Sequence, residues 1–155
     1  MKKIGFVLGL LVSFQSLAAI EAFEDGPLIQ GYGKHAKVEQ DATIPDNMTF
    51  KVAFDVSDSV GKTETNPKFD TLARFLNMHV ANGIESKNIE LALVVHGRAG
   101  EDLLNEKTYN NKYATSNPNR ELLELLIEHK VQVLLCGQSA AFYDIGNDNL
   151  IEGPY

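Results

Sequence analysis

Cysteine is almost missing from this 155-residue sequence, which contains Cys136 and no other. A single thiol forms no disulfide within the chain, so in an oxidising compartment it is either buried and inert or exposed for chemistry. The four histidines are scattered, and the sequence therefore lacks the ligand spacing of a zinc or iron site. We expect no metal, and the role of Cys136 becomes the main functional question.

Basic residues are too few for a nucleic-acid-binding protein. The sequence has 14 lysines and arginines against 21 acidic residues, which gives a formal net charge of −7. Removing the two positive charges of Lys2 and Lys3 makes it −9. An acidic chain without a basic patch has nothing to neutralise phosphates, so we expect no nucleic-acid partner.

Nucleotide-binding and hydrolase motifs are also missing. Gly97-Arg-Ala-Gly100 lacks the Lys-Ser/Thr of a phosphate-binding loop, and no G-x-G-x-x-G opens a helix after a strand. Gly137-Gln-Ser139-Ala-Ala141 comes close to a nucleophile elbow, but its fifth position is alanine and no histidine follows the serine. We expect neither a nucleotide cofactor nor a serine hydrolase.

Residues 1–18 have the pattern of a signal peptide. Lys2 and Lys3 precede a short apolar stretch, and Ser16-Leu-Ala18 supplies the small residues that signal peptidase requires. The apolar stretch is too short to remain as a membrane anchor. We predict cleavage after Ala18, a mature protein in the periplasm, and no stable membrane anchor.

The first part of the mature chain differs from the rest. Residues 19–48 are polar with frequent turn signals, and they predict an N-terminal arm with one short strand near Ala36–Val38. Alternation of apolar and polar residues over Phe50–Val56 then predicts a strand. Asn66-Pro67 predicts a helix start, and apolar residues recur at helical spacing from there to Asn82-Gly83.

The later elements alternate in type. We predict a strand covered on both faces at Ile89–Val95, then a short helical piece near Glu101–Leu104 and a polar loop through Ser116. A helix from Asn117-Pro118 onward, a strand at Val131–Cys136 and a short helix or turn from Gly137 to Tyr143 follow. Over residues 49–155 this order predicts a three-layer α/β domain with a mostly parallel central sheet and right-handed crossovers.

Polar side chains collect where the three predicted strands end, and ligands of parallel sheets bind beyond these carboxyl ends. The ends carry Asp55 and Ser57, His96 and Gly97, and Cys136 and Gly137. Because the three ends meet at one edge of the sheet, we predict a site there, with Cys136, His96 and Asp55 as its reactive groups.

Each of these groups also has a structural interpretation. Cys136 is either a buried residue that ends an apolar strand or a thiolate stabilised by the free N–H groups of a helix that starts at Gly137. His96 either interacts with the thiol or bonds a backbone carbonyl, and Asp55 either orients His96 or caps the following loop. The other histidines are expected elsewhere, His79 in the core and His35 and His129 in polar surroundings.

Four segments, taken together, resemble the DsrE/DsrF-like family. They are Phe50-Lys-Val-Ala-Phe-Asp55, Leu91-Ala-Leu-Val-Val-His-Gly97, Asn117-Pro-Asn119 and Leu135-Cys-Gly-Gln-Ser139. The resemblance covers roughly residues 28–151 and is closest to the exported branch of the family, with a signal peptide and a His-Gly motif. It implies a compact α/β fold around a central sheet and a homo- or hetero-oligomer, of which we expect the homo-oligomer.

Members of that family whose chemistry is understood carry sulfur as a persulfide on a cysteine and pass it to partner proteins. Our hypothesis is a periplasmic carrier that relays sulfur through Cys136, with a sulfur donor or acceptor protein or a small sulfur compound as partner. His96 would act as proton donor, and Asp55 would hold it. Binding groups would be Gly97, Gly137, Gln138 and Ser139. Thiol exchange at sulfur requires no cofactor, and we expect carrier chemistry more than turnover catalysis.

Two other functions stay open. One is an oligomeric ligand-binding or assembly module with a structural Cys136, whose ligand contacts Asn77, His96 and Tyr143. The other is a redox sensor that forms a disulfide between chains. Family members continue beyond Gly153-Pro154 with another strand and helix, so either this sheet lacks that edge element or the sequence is truncated. An open edge would favour an oligomer that covers it.

Overall fold

The computed structural model describes residues 22–39, 41–45 and 47–153, so the predicted signal peptide lies outside the described residues. Five strands lie within these ranges: β1 (Phe23–Glu24), β2 (His35–Ala36), β3 (Phe50–Val56), β4 (Ile89–Val95) and β5 (Gln132–Leu135). The α-helices are α1 (Pro67–Ala81), α2 (Glu106–Tyr113), α3 (Arg120–Glu128) and α4 (Gly137–Phe142). None of the helices within the described part of the chain has the length and apolar character that crossing a bilayer requires.

Helix α1 begins and ends where the sequence predicts. The side chain of Asn66 accepts a hydrogen bond from the Lys68 N–H at 3.0 Å, and proline occupies the first helical position. Asn82 caps the other end, and Gly83 follows with a left-handed φ of 89°. The apolar face of the helix is buried against the sheet through Phe69, Leu72 and Leu76.

Strands β3, β4 and β5 form a parallel sheet in chain order. Phe54 pairs with Leu93, and Leu93 pairs with Val133, so side chains in the same row of the sheet face the same side. A mixed α/β domain with a parallel sheet is thus confirmed. All three strands run in one direction, and their carboxyl ends meet at one edge.

Only one face of this sheet is covered by helices within the described residues. Leu91, Leu93 and Val95 of β4 are buried, whereas the alternate residue Glu90 is exposed and Val94 is half-buried. The prediction that β4 is covered on both faces is therefore wrong for the described part of the chain. The reason is the strand order: right-handed crossovers between strands in consecutive order place both connecting helices on the same side. Helices α1 and α3 indeed pack against each other.

The N-terminal arm is anchored on the outer side of helix α1. Strands β1 and β2 pair antiparallel, so the predicted short strand lies at His35–Ala36. The fully buried Asn77 of α1 holds the arm, because its Oδ1 accepts from the N–H groups of Leu28 and Ile29 at 3.2 and 2.9 Å. Its Nδ2 donates to the carbonyls of Ile29, Tyr32 and Gly33. The arm therefore contributes to the same folded unit as the sheet.

Local predictions were wrong at His35 and in the loop before Ser116. His35 is buried, not in polar surroundings, because β2 packs on helix α1. The loop contains helix α2. Its sequence shows no apolar periodicity, because among its residues only Tyr109 is buried. Asn105 caps this helix by accepting from the Thr108 N–H at 2.9 Å. The next helix starts at Arg120, not directly after Asn117-Pro118.

Candidate functional site

Cys136 lies at the carboxyl edge of the sheet. Its backbone N–H donates to the Val95 carbonyl at 2.8 Å, which extends the β4–β5 pairing by one residue, and helix α4 starts at the next position. The side chain is half-buried. Cys136 is thus not sealed in the core, and the thiol occupies the position where ligands of parallel sheets bind.

Helix α4 turns its first amides toward the sulfur of Cys136. The backbone N–H groups of Ser139 and Gln138 donate to the sulfur, and so does the Ser139 hydroxyl, and these hydrogen bonds lower the pKa of the thiol. The nearby imidazole of His96 lowers the pKa further. Gly97 N–H donates to the Ser139 oxygen at 2.9 Å, which orients that hydroxyl. The arrangement stabilises a thiolate.

His96 is held by Asp55. The imidazole Nε2 of His96 lies 2.9 and 3.0 Å from the two carboxylate oxygens of Asp55. The hydrogen bond to this carboxylate raises the pKa of His96, and the negative charges of Asp55, Cys136 and Asp58 act in the same direction. Of the two interpretations of Asp55, the contact with His96 is the one observed.

The pKa values of Cys136 and His96 are shifted toward each other. The pKa of Cys136 lies below the ordinary thiol value and the pKa of His96 lies above the ordinary imidazole value. The pH interval between them is therefore narrower than for the free side chains, so more thiolate coexists with imidazolium near neutrality. A nucleophile and a proton donor are thus available together.

The two predicted ligand-binding glycines have different surroundings. Gly97 has a φ of +57°, and a Cβ there would lie 2.8 Å from the Ser57 carbonyl oxygen, so glycine is required for the loop to approach β3. Its N–H is occupied by the Ser139 hydroxyl. Gly137 is exposed, and a Cβ built on it meets no atom of a more distant residue within 4 Å. Open space therefore lies beside Gly137, the residue that follows Cys136.

A buried polar cluster behind the site was not predicted from the sequence. Asp102 accepts from the Ser59 hydroxyl at 2.6 Å and from Asn66 Nδ2 at 2.9 Å, while burial raises its pKa. Asn117 Nδ2 donates to the Asp102 carbonyl at 2.9 Å, and Asn119 Oδ1 accepts from the Asn66 N–H at 2.7 Å. This cluster connects the loops after β3 and β4 to the start of α3. The repeated Asn-Pro pairs were the sequence signal that could have revealed it.

The geometry does not bring together the residues of the ligand-binding alternative. Asn77 is buried beneath the arm and all of its polar atoms bond the arm backbone. Tyr143 is half-buried and its ring contacts Phe142. Two cavities of about 720 and 950 Å³ are not lined by Cys136. Across the described ranges, no group of three or more His, Cys, Asp or Glu side chains could hold a metal ion.

Comparison with known proteins identifies the family. Residues 58–154, more than half of the chain, match the model of the DsrE/DsrF-like family. The chain belongs to the DsrE/DsrF-like family. The matched region includes His96, Cys136 and Ser139 and begins just after Asp55. No match was found among curated proteins or among solved structures. The resemblance drawn from the sequence is confirmed for this DsrE/DsrF-like chain at the level of the family.

Substitution of Ser139 by alanine is expected to weaken the thiolate. The variant loses one of the hydrogen bonds that lower the pKa of Cys136, so less thiolate exists at neutral pH and alkylation by iodoacetamide slows, by roughly tenfold at most. The rate is measured as a function of pH, and its midpoint should rise. Ser86→Ala, at the opposite end of the sheet, is the matched control. An unchanged midpoint in Ser139→Ala would contradict the described role.

Proposed function

We propose that this protein carries sulfane sulfur as a persulfide on Cys136. The observation that carries the proposal is the hydrogen-bonded thiol of Cys136 beside the His96–Asp55 pair, at the carboxyl edge of the sheet. Membership of the DsrE/DsrF-like family supports a sulfur-relay role. A buried structural cysteine would need none of these polar contacts.

The reaction is an exchange at sulfur. The Cys136 thiolate attacks the outer sulfur of a donor persulfide, the donor's S–S bond breaks, and a new S–S bond forms on Cys136. The donor leaves as a thiolate, which takes a proton from imidazolium His96. No net oxidation or reduction occurs. The step needs a nucleophilic thiolate and a proton donor at one place, as the opposite pKa shifts of Cys136 and His96 favour.

The surroundings of Cys136 suit a second sulfur atom. No atom of a more distant residue lies within 4 Å of the position where a Cβ of Gly137 would stand, which leaves room beside the residue that follows Cys136. The N–H groups of Gln138 and Ser139 donate toward the sulfur of Cys136 and favour negative charge there. A persulfide anion on Cys136 is therefore expected to be accommodated without rearrangement.

The function is tested by loading and counting sulfur. Wild-type protein is incubated with polysulfide, freed of excess reagent and treated with cyanide, which removes sulfane sulfur as thiocyanate. We expect about one thiocyanate per chain, because one thiol is present. Wild-type protein whose thiol has first been blocked with iodoacetamide measures non-specific loading. Release no greater than from that control would overturn the proposal.

We further propose that the mature protein works in the periplasm. The basis is the signal-like pattern of residues 1–18, with its small residues at Ser16 and Ala18. N-terminal sequencing of the protein recovered from the periplasmic fraction is expected to start at residue 19. Recovery of the uncut chain from the cytoplasm alone would contradict this location.

A further inference from the structure

The sheet face that no helix of the described residues covers leads to the thiol of Cys136. Asp55, Val94 and Leu134 form one row across the three strands, on the side away from helices α1 and α3. Leu134 is 39% exposed although it is a leucine in a strand. Side chains two positions apart along a strand share a face, so His96 follows Val94 and Cys136 follows Leu134 on this same side.

Exposed apolar side chains flank Cys136 from both directions of the chain. Leu134 precedes it on β5, and Phe142 follows it at the end of α4 with 81% of its surface exposed. The Phe142 ring is held in place against Tyr143, with 4.9 Å between ring centres. Exposed apolar groups on the segments directly before and after a reactive residue are typical of a protein interaction site.

The rim of this surface is acidic. Asp55, with its side chain 72% exposed, and Asp58 lie at the end of β3, and the exposed Asp144 follows the Phe142–Tyr143 pair. Asp55 is paired with His96, and the exposed cation Arg98 lies two residues after His96, so Asp58 and Asp144 supply most of the acidic character of this rim. The whole sequence also has a formal net charge of −7. Such a surface attracts positively charged partners and repels a second copy of itself.

We infer that the thiol surface, formed by Asp55, Asp58, Leu134, Phe142 and Asp144 around Cys136, docks a different protein with an apolar centre and a basic rim. The inference rests on the proposed function for the cargo, since that partner would deliver or receive the sulfur. In the receiving direction, the partner's thiolate attacks the outer sulfur of the Cys136 persulfide. The old S–S bond breaks, a new one forms on the partner, and Cys136 leaves as a thiolate.

The experiment uses thiol–disulfide exchange, which requires no loaded sulfur. Two short peptides carry a leucine and a cysteine activated as a thiopyridyl disulfide, one with two lysines and the other with two glutamates. Release of thiopyridone by folded wild-type protein measures the rate of thiol–disulfide exchange at Cys136. We expect the lysine peptide to react about tenfold faster at low ionic strength, with most of the difference lost at about 0.5 M salt.

Two variants separate the parts of the surface. Asp58→Asn combined with Asp144→Asn is expected to remove most of the preference for the lysine peptide. Glu128→Gln, which removes a charge at the opposite edge of the sheet, serves as the matched control and should keep the preference. Phe142→Ser is expected to slow both peptides about threefold. Its side chain is largely exposed, so circular dichroism should show an intact fold.

Several results would overturn the inference. These are equal rates for the two peptides at low salt, an unchanged preference in the double aspartate variant, and a dimer of the wild type that dissociates in Phe142→Ser. The last result would mean that a second copy occupies the surface. Failure of sulfur loading with a normal charge preference would instead count against the persulfide proposal alone, so the two failures are distinguishable.

Discussion

Replacement of Cys136 by serine is expected to abolish sulfur uptake while leaving the fold intact. The hydroxyl is close in shape to the thiol and accepts hydrogen bonds from the same N–H groups of Gln138 and Ser139. An oxygen does not hold a sulfane sulfur, and no other cysteine is present to replace it. Thiocyanate released after polysulfide treatment should therefore fall to the background of the wild-type protein whose thiol is blocked.

The variant His96→Gln removes the proposed proton donor and keeps the thiol of Cys136, so it tests the two roles separately. This variant keeps the thiol, so it should load the same final amount of sulfur as the wild type, but about tenfold or more slowly. The time course of thiocyanate release at pH 7 measures this difference, and the far-ultraviolet circular dichroism of both variants checks the fold. Full loading of Cys136→Ser would show that sulfur binds elsewhere and would end the carrier proposal.

Substitution of Asn77 by alanine is expected to cause a large loss of stability. The side chain is fully buried and connects helix α1 to the arm through bonds to backbone groups of Leu28, Ile29, Tyr32 and Gly33. Alanine leaves these groups without a partner, and those of Ile29 and Gly33 are buried, at a cost of about 1–3 kcal/mol for each buried donor or acceptor. We expect the free energy of unfolding to fall by about 3–5 kcal/mol.

Urea unfolding followed by circular dichroism measures this change. Asn110→Ala, on the exposed side of helix α2, is the matched control and should change the free energy by less than about 0.5 kcal/mol. Limited proteolysis should cut Asn77→Ala within the arm, between residues 22 and 39, before the rest of the chain. Equal unfolding midpoints for the two variants would contradict the anchoring role of Asn77.

The elements of the sheet could be predicted from local pattern. Phe50–Val56 alternates apolar and polar residues, and Asn66-Pro67 carries both signals of a helix start, so β3 and α1 lie where expected. The positions of the strand ends follow, because parallel strands bring their carboxyl ends to one edge. Local pattern and strand direction together are therefore enough to place Asp55, His96 and Cys136 at the same edge of the sheet.

The parts that escaped prediction depend on contacts between distant residues. Helix α2 has one buried residue, Tyr109, and its hydrophilic sequence resembles a loop. The burial of His35 and the role of Asn77 depend on the docking of the arm on α1, which no periodicity reports. The open face of the sheet follows from strand order, which is a property of the topology and not of any single segment.

Within the site, the sequence indicated the residue types but not their partners. The spacing did not reveal that the Ser139 hydroxyl stands between Gly97 and Cys136, because this bond joins residues 42 positions apart. It also left open whether Asp55 orients His96. The hydrogen bonds from Gly97 to Ser139 and from His96 to Asp55 decide these questions.

The reactivity of Cys136 is tested most simply by the rate at which iodoacetamide, a neutral reagent, labels the thiol in the folded protein across a range of pH. We predict labelling without denaturant, with a midpoint pH below that of an ordinary thiol, because hydrogen bonds from Ser139 and Gln138 lower the pKa of Cys136. Labelling that occurs only after unfolding would contradict this prediction, and Cys136 would then be a structural residue of the core.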